Sequence, residues 1–274
     1  MTVLSLAPLS LEAVAAPPND PPLLAVEGLC KSFGSQVACR DISFALWPGE
    51  VLGIVGESGS GKTTLLNCVS TRLAPDAGTI RFQLRDGRIA DLFQLSESTR
   101  RMLMRTDWGI VHQNPRDGLR LGVSAGANVG ERLMAVGARH YGDIRGAARD
   151  WLGKVEIDVA RLDDRPAEFS GGMQQRLQIA RNLVSQPRLV LMDEPTGGLD
   201  VSVQARLLDL LRGLCAELNL AAIVVTHDLG VARLLAHRLM VMRQGEVVES
   251  GLTDQVLDDP QHPYTQLLVS SILQ

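Results

Sequence analysis

The sequence predicts an α/β fold with a parallel sheet, into which a helical lobe is inserted. Three observations carry this. Val51 to Val55 and Leu189 to Met192 are short, almost uninterrupted apolar runs bounded by turn or charged residues, the pattern of strands buried on both faces. Helical patterns separate such runs, and a strand–helix–strand alternation makes neighbouring strands parallel. The stretch from about 96 to 184 is instead helix-rich and carries most of the arginines.

Taken in order, residues 1–22 are apolar, lack Lys and Arg, and end in Pro-Pro-Asn-Asp-Pro-Pro. They read as a disordered leader before one domain spanning 23–274, because a secretory signal needs a basic start. Leu23 to Leu29, Ile42 to Leu46, Val51 to Val55 and Thr79 to Leu84 read as strands, and Lys62 to Leu73 as a helix. Within the lobe, Gly109 to His112 reads as a strand and Asn114 to Asn128 as loop-like. After it, Leu189 to Met192 and Ala222 to Val225 are strands, separated by a helix with Leu207, Leu211, Leu214 and Leu218 on one face. Arg243-Gln244-Gly245-Glu246 sits between apolar stretches and predicts a hairpin. A tail from about 251 ends in a leucine-rich helix.

Composition narrows the function. Among 274 residues, 27 are basic and 31 acidic, a net charge of −4, and only 4% are aromatic. A nucleic-acid partner is therefore not expected, since binding its phosphates requires a clustered basic face. Cys30, Cys39, Cys68 and Cys215 have no metal-site spacing, which favours reduced thiols and a cytoplasmic location. No apolar run is long enough to span a bilayer.

Gly56-Glu57-Ser58-Gly59-Ser60-Gly61-Lys62-Thr63 fits the phosphate-loop pattern, and it falls between a strand and a helix. Its glycines let backbone N–H groups converge on an anion at the positive end of the helix dipole. Lys62 can reach the β- and γ-phosphates, Thr63 can ligate Mg²⁺, and Thr64 can bond a neighbouring phosphate. Leu189 to Met192 leads into Asp193-Glu194. Asp193 suits a water-mediated hold on Mg²⁺, and Glu194 suits the orientation of an attacking water. A P-loop nucleotide hydrolase using ATP and Mg²⁺ is the expectation.

Phe169-Ser170-Gly171-Gly172-Met173-Gln174-Gln175-Arg176 makes the chain resemble the ATP-binding cassette family. The resemblance covers about Leu23 to Gln274. It implies a RecA-like core, an N-terminal antiparallel β subdomain and a helical subdomain. It further implies a dimer in which Ser170, Gly171, Gly172 and Gln174 of one subunit cap the nucleotide held by a second cassette subunit. Position by position, Phe33 matches the aromatic that stacks on adenine, and Gln113 the glutamine that reaches Mg²⁺ and the attacking water. His227 matches the histidine at the γ-phosphate. Asp200, in Gly197-Gly198-Leu199-Asp200, matches the segment that signals across the dimer, with Gly-Gly replacing the more usual Ser-Ala.

Within the family two closer resemblances diverge. Pro260-Gln261-His262-Pro263-Tyr264-Thr265 is similar to the tail of oligopeptide-importer ATPases, which work with a membrane permease. The stretch from Val111 to Arg145, including Asn114-Pro115-Arg116-Asp117-Gly118-Leu119-Arg120, is more similar to a cassette subunit of the bacterial carbon–phosphorus lyase system. That implies docking on a lyase core in phosphonate breakdown; the importer alternative implies a position peripheral to the inner membrane.

Overall fold

The computed structural model describes residues 21–271. The leader expected over 1–22 therefore lies, apart from Pro21 and Pro22, outside the described residues.

Two sheets are formed. The first is antiparallel, in the order β2-β1-β4-β5, from β1 (Leu24–Phe33), β2 (Gln36–Leu46), β4 (Ala77–Gln83) and β5 (Ile89–Asp91). The second runs β10-β9-β3-β8-β7-β6, from β3 (Val51–Val55), β6 (Trp108–Val111), β7 (Leu189–Asp193), β8 (Ala221–Thr226), β9 (Arg238–Arg243) and β10 (Glu246–Leu252). Its strands are parallel except β10, which returns along β9 through the expected Gln244-Gly245 turn.

The alternation of side chains across a strand explains why β7 and β8 carry no polar face. Val190, Met192, Ala222 and Val224 enter one core, shared with the helical lobe and α7 (Val201–Glu217). Leu189, Leu191, Ile223 and Val225 enter the other, shared with the antiparallel sheet and α1 (Lys62–Val69). The leucines expected on one face of α7 behave accordingly: Leu207, Leu211 and Leu214 are buried, while Leu218 caps the helix and is partly buried.

The segment from about 96 to 184 is not helical throughout. It contains α2 (Glu97–Thr106), α3 (Pro115–Gly118), α4 (Ala125–Ala135), α5 (Tyr141–Lys154) and α6 (Gly171–Leu183), but also β6, the outer strand of the parallel sheet. An outer strand leaves main-chain groups needing partners, and α6 supplies them from a row of buried amides. Asn182 Oδ1 accepts from Ile110 N at 3.0 Å, and Gln178 Oε1 accepts from His112 N at 2.6 Å. The His112 carbonyl accepts from Gln178 Nε2 at 3.2 Å and Gln175 Nε2 at 3.3 Å. The lobe is thereby fastened to the sheet immediately before Gln113.

Gln178→Leu keeps the volume but orphans the His112 N–H. It is expected to cost about 2 kcal/mol, read as a lower urea midpoint at unchanged slope.

Candidate active site

Because β3, β6, β7 and β8 are parallel, their carboxyl ends open on one edge of the sheet, the edge where ligands bind in open α/β folds. The phosphate loop leaves β3 there. Gly61, the N-cap of α1, has φ 104°, and a Cβ on it would stand 2.0 Å from the Ala38 carbonyl. Only glycine fits that close approach. Lys62 is folded over the loop, its Nζ donating to the Gly56 carbonyl at 2.7 Å and the Glu57 carbonyl at 2.8 Å. Burial lowers its pKa from the usual lysine value, against the pull of the Glu194 and Asp193 carboxylates.

Asp193 ends β7 and is half-buried. Burial raises its pKa and the charge of Glu194 adds to the rise, opposed by a hydrogen bond from Thr63 and by Lys62. Among the described residues no cluster of three His, Cys, Asp or Glu could hold a metal ion. The donor set is instead one hydroxyl, one carboxylate and the nearby Gln113 amide. It fits Mg²⁺, a hard cation that takes few protein oxygens and completes its shell with water and phosphate.

Glu194 has φ 43°, a left-handed backbone that is uncommon outside glycine, and its N–H donates to the Val225 carbonyl at 2.8 Å. Gln113 Nε2 donates to one carboxylate oxygen at 3.0 Å. His227 Nδ1 lies 2.8 Å from the other. A proton on Nδ1 makes that contact a donated hydrogen bond. Two side chains, from the ends of β6 and β8, thus converge on one carboxylate at the end of β7, oriented as required to position a water. Gly197 belongs to this arrangement: a Cβ there would come within 3.3 Å of the Gln113 side chain. Gly198 follows at φ 74°, so the Gly-Gly departure serves both clearance and backbone conformation.

Phe33, Ser58, Gly59, Gly61, Lys62, Thr63, Thr64, Gln113, Glu194 and His227 all line one cleft of about 670 Å³. Phe33 is 51% exposed, so it is available for stacking and is not a core residue. Gly56 and Glu57 face a smaller recess behind the loop, and Ser60 is buried beneath it, its carbonyl accepting from Gly245 N at 3.0 Å. Ser170, Gly171, Gly172 and Asp200 do not line the main cleft. Ser170 and Gly171 are exposed at the start of α6, Gly172 packs against Val203, and Asp200 is exposed at the start of α7.

Gln174 corrects the reading that gave it a nucleotide contact. Its side chain is buried, with Nε2 donating to the Pro166 carbonyl at 2.8 Å and the Phe169 carbonyl at 3.2 Å, so it shapes the turn that presents Ser170. Tyr264 was not anticipated. It stands on α10 (Pro263–Ser270), and its hydroxyl accepts from the Glu57 N–H at 3.0 Å. Arg243 packs over its ring at 4.9 Å. Its only signal in the sequence was its place in the quoted tail motif.

A glycine-rich loop between strand and helix, with a buried lysine and a carboxylate pair on the adjoining strand, defines a P-loop nucleoside-triphosphate hydrolase. Residues 39–197 match the sequence model of the ABC transporter family, and the chain belongs to that family of ATP-binding, ATP-hydrolysing cassettes. It is 69% identical over 253 residues to the putative phosphonates utilization ATP-binding protein PhnK of Escherichia coli (strain K12), which covers 92% of this chain and 98% of that protein. It is 37% identical over 262 residues to a putative peptide import ATP-binding protein of Brucella abortus (strain 2308), covering 92% and 78% respectively. Among solved structures, a dimeric post-hydrolysis state of the ATP-binding cassette MJ0796 bound to ADP and Pi superposes with a TM-score of 0.74 at 28% identity. That match covers 84% of this chain and 98% of the other. The cbiO1 subunit of the cbiONQ ABC transporter complex from Clostridium perfringens gives 0.76 at 29% identity, covering 88% and 92%.

Tyr264→Phe removes one hydrogen-bond acceptor behind the phosphate loop while keeping the ring. The KM for ATP is expected to rise about threefold with kcat within about twofold, as steady-state ATPase assays would read.

Proposed function

We propose that this ATPase works as a dimer that closes around two MgATP, and that it serves phosphonate breakdown by docking on a carbon–phosphorus lyase core. The observation carrying the catalytic half is the convergence of Gln113 and His227 on Glu194 beside the phosphate loop. Phe33 stacks on the adenine, and the loop from Gly56 to Thr64 cradles the phosphates. Thr63, Asp193 and Gln113 hold Mg²⁺, which when bound neutralises phosphate charge.

Glu194 orients a water in line with the γ-phosphorus. As the new O–P bond forms, the bond to the bridging oxygen of ADP breaks, and the carboxylate takes up the water proton. Lys62, released from its carbonyl contacts, and His227 offset charge on the transferring group, so positioning and electrostatics do most of the work. Ser170 and Gly171, both exposed, and Gly172, packed against Val203, all lie off the cleft and cap the γ-phosphate of the second subunit, with Asp200 carrying the signal between the sites. The solved dimers of the related cassette MJ0796 support this arrangement.

The phosphonate assignment rests on the 69% identity to the Escherichia coli phosphonates utilization protein. The arginine-bearing segment Asn114 to Ile144 is the proposed docking surface, with Arg116 and Arg120 both exposed. The peptide-import relatives favour a second reading, an importer ATPase seated on a permease at the inner membrane. Among the described residues no helix is long and apolar enough to cross a membrane. The proposed location is cytoplasmic, and no nucleic-acid partner is proposed.

Glu194→Gln is expected to lower turnover by at least about a hundredfold and to accumulate an ATP-bound dimer in analytical ultracentrifugation; a monomer at saturating ATP would refute the closure model. Arg116→Glu with Arg120→Glu should abolish co-purification with the lyase core from cells grown on a phosphonate. Recovery only in detergent with a multi-span permease would establish the importer reading instead.

A further inference from the structure

Away from the nucleotide cleft, a pocket of about 360 Å³ opens where the end of α1, α2, β6, α4 and α6 meet. Arg72, Arg101, Arg105, Arg132 and Arg181 line it, against one carboxylate, Asp117. Glu131 neutralises Arg181 at 2.6 Å, and Glu97 approaches Arg101 at 3.3 Å. Arg72, Arg105 and Arg132 form no ion pair among the described residues.

Two buried donors sharpen the imbalance. Arg132 spends its terminal nitrogens on the Met104 carbonyl at 3.3 Å and the Trp108 carbonyl at 2.7 Å, leaving its buried Nε–H unpartnered. Trp108, 1% exposed, also lines the pocket, and its indole Nε1–H is buried without a partner. Burial, with the positive charge of Arg181 close by, lowers the Arg132 pKa, against the pull of the Glu131 carboxylate. Orphaned buried donors are costly, as is a partly buried cation without an ion pair such as Arg132, and one anion relieves both.

We infer that this pocket is a second binding site, for a small tetrahedral oxyanion of the phosphate or phosphonate type. The guanidinium groups offer the forked donors that match such an ion, and a dianion balances the unpaired charge. The site stands independently of the lyase reading, since its argument uses only charge and unsatisfied donors. It also adjoins the catalytic apparatus. His112 lines the pocket, lies 3.3 Å from Arg72, and is followed by Gln113. An anion here sits one residue from the side chain that bonds Glu194.

The test follows the Trp108 indole N–H resonance of the full chain by proton–nitrogen NMR. The nucleotide cleft is first saturated with Mg²⁺ and a non-hydrolysable ATP analogue, so that added anion cannot report from the phosphate loop. Titration with inorganic phosphate, and separately with methylphosphonate, should move that resonance downfield to saturation as the donor gains a partner. The tighter of the two identifies the source. Arg72→Gln with Arg105→Gln, both at exposed positions, should weaken binding about tenfold or more while the amide spectrum stays dispersed. A resonance that neither anion moves, or that moves equally in the double variant, would overturn the assignment.

Discussion

The fold depends on how the outer strand of the parallel sheet is closed. β6 pairs with β7 on one side only, and an unpaired strand edge is both costly to bury and an invitation to wrong partners. Here it is closed by side chains. The amides of Gln175, Gln178 and Asn182, spaced to share one face of α6, take up main-chain groups at Ile110 and His112. Such a row specifies register as a greasy helix face cannot, because each amide satisfies one particular N–H or C=O. The same helix begins at Ser170. One element therefore fixes Gln113 at the home site and, in the proposed dimer, presents Ser170 to the site opposite.

That double duty explains why the cleft of a single chain is open. Carboxyl ends of parallel strands gather the phosphate loop, Gln113, Glu194 and His227 on one edge, since parallel register forces those ends together. The α6 start faces elsewhere, because α6 must lie along β6 to close it. Ser170 and Gly171 thus stand off the cleft of their own chain. In the proposed dimer, two copies, or a copy and a related subunit, would each supply what the other lacks, and closure would exclude water from both sites.

Much of this was legible in the sequence where a single physical requirement governed each residue. β3, β7 and β8 were readable because burial on both faces demands unbroken apolar runs, and the phosphate loop because close backbone approach demands glycine. The antiparallel partner β5, only three residues long, carries no such pattern. α1 stops at Val69 rather than Leu73, because Thr71 turns left-handed at φ 58°. Gln174 was misread because sequence position gives no direction. It sits in a motif tied to nucleotide capping, yet the turn before α6 needed its amide more. Tyr264 lies far along the chain from the loop it touches, and nothing local announces a contact made through tertiary packing.

His112 and Gln113 are the residues on which these requirements meet. The main chain of His112 is clamped by α6, its ring lies beside Arg72, and the next side chain holds Glu194. A displacement of the helical lobe against the sheet must stretch those amide bonds or carry His112 along with it. The second course is cheaper, because three hydrogen bonds to the His112 main chain would otherwise break in a buried setting. Gln113 then moves relative to Glu194, which follows β7 and is held by the Val225 carbonyl, while the β6–β7 ladder up to Val111 and Met192 confines the movement to the two residues beyond it. On the proposed mechanism, the Glu194 carboxylate is thus completed or relieved by the angle between lobe and sheet. The proposed partner on the arginine-bearing face and the proposed anion in the pocket beneath it would both act on catalysis through these two residues, since each would press on the lobe that clamps His112.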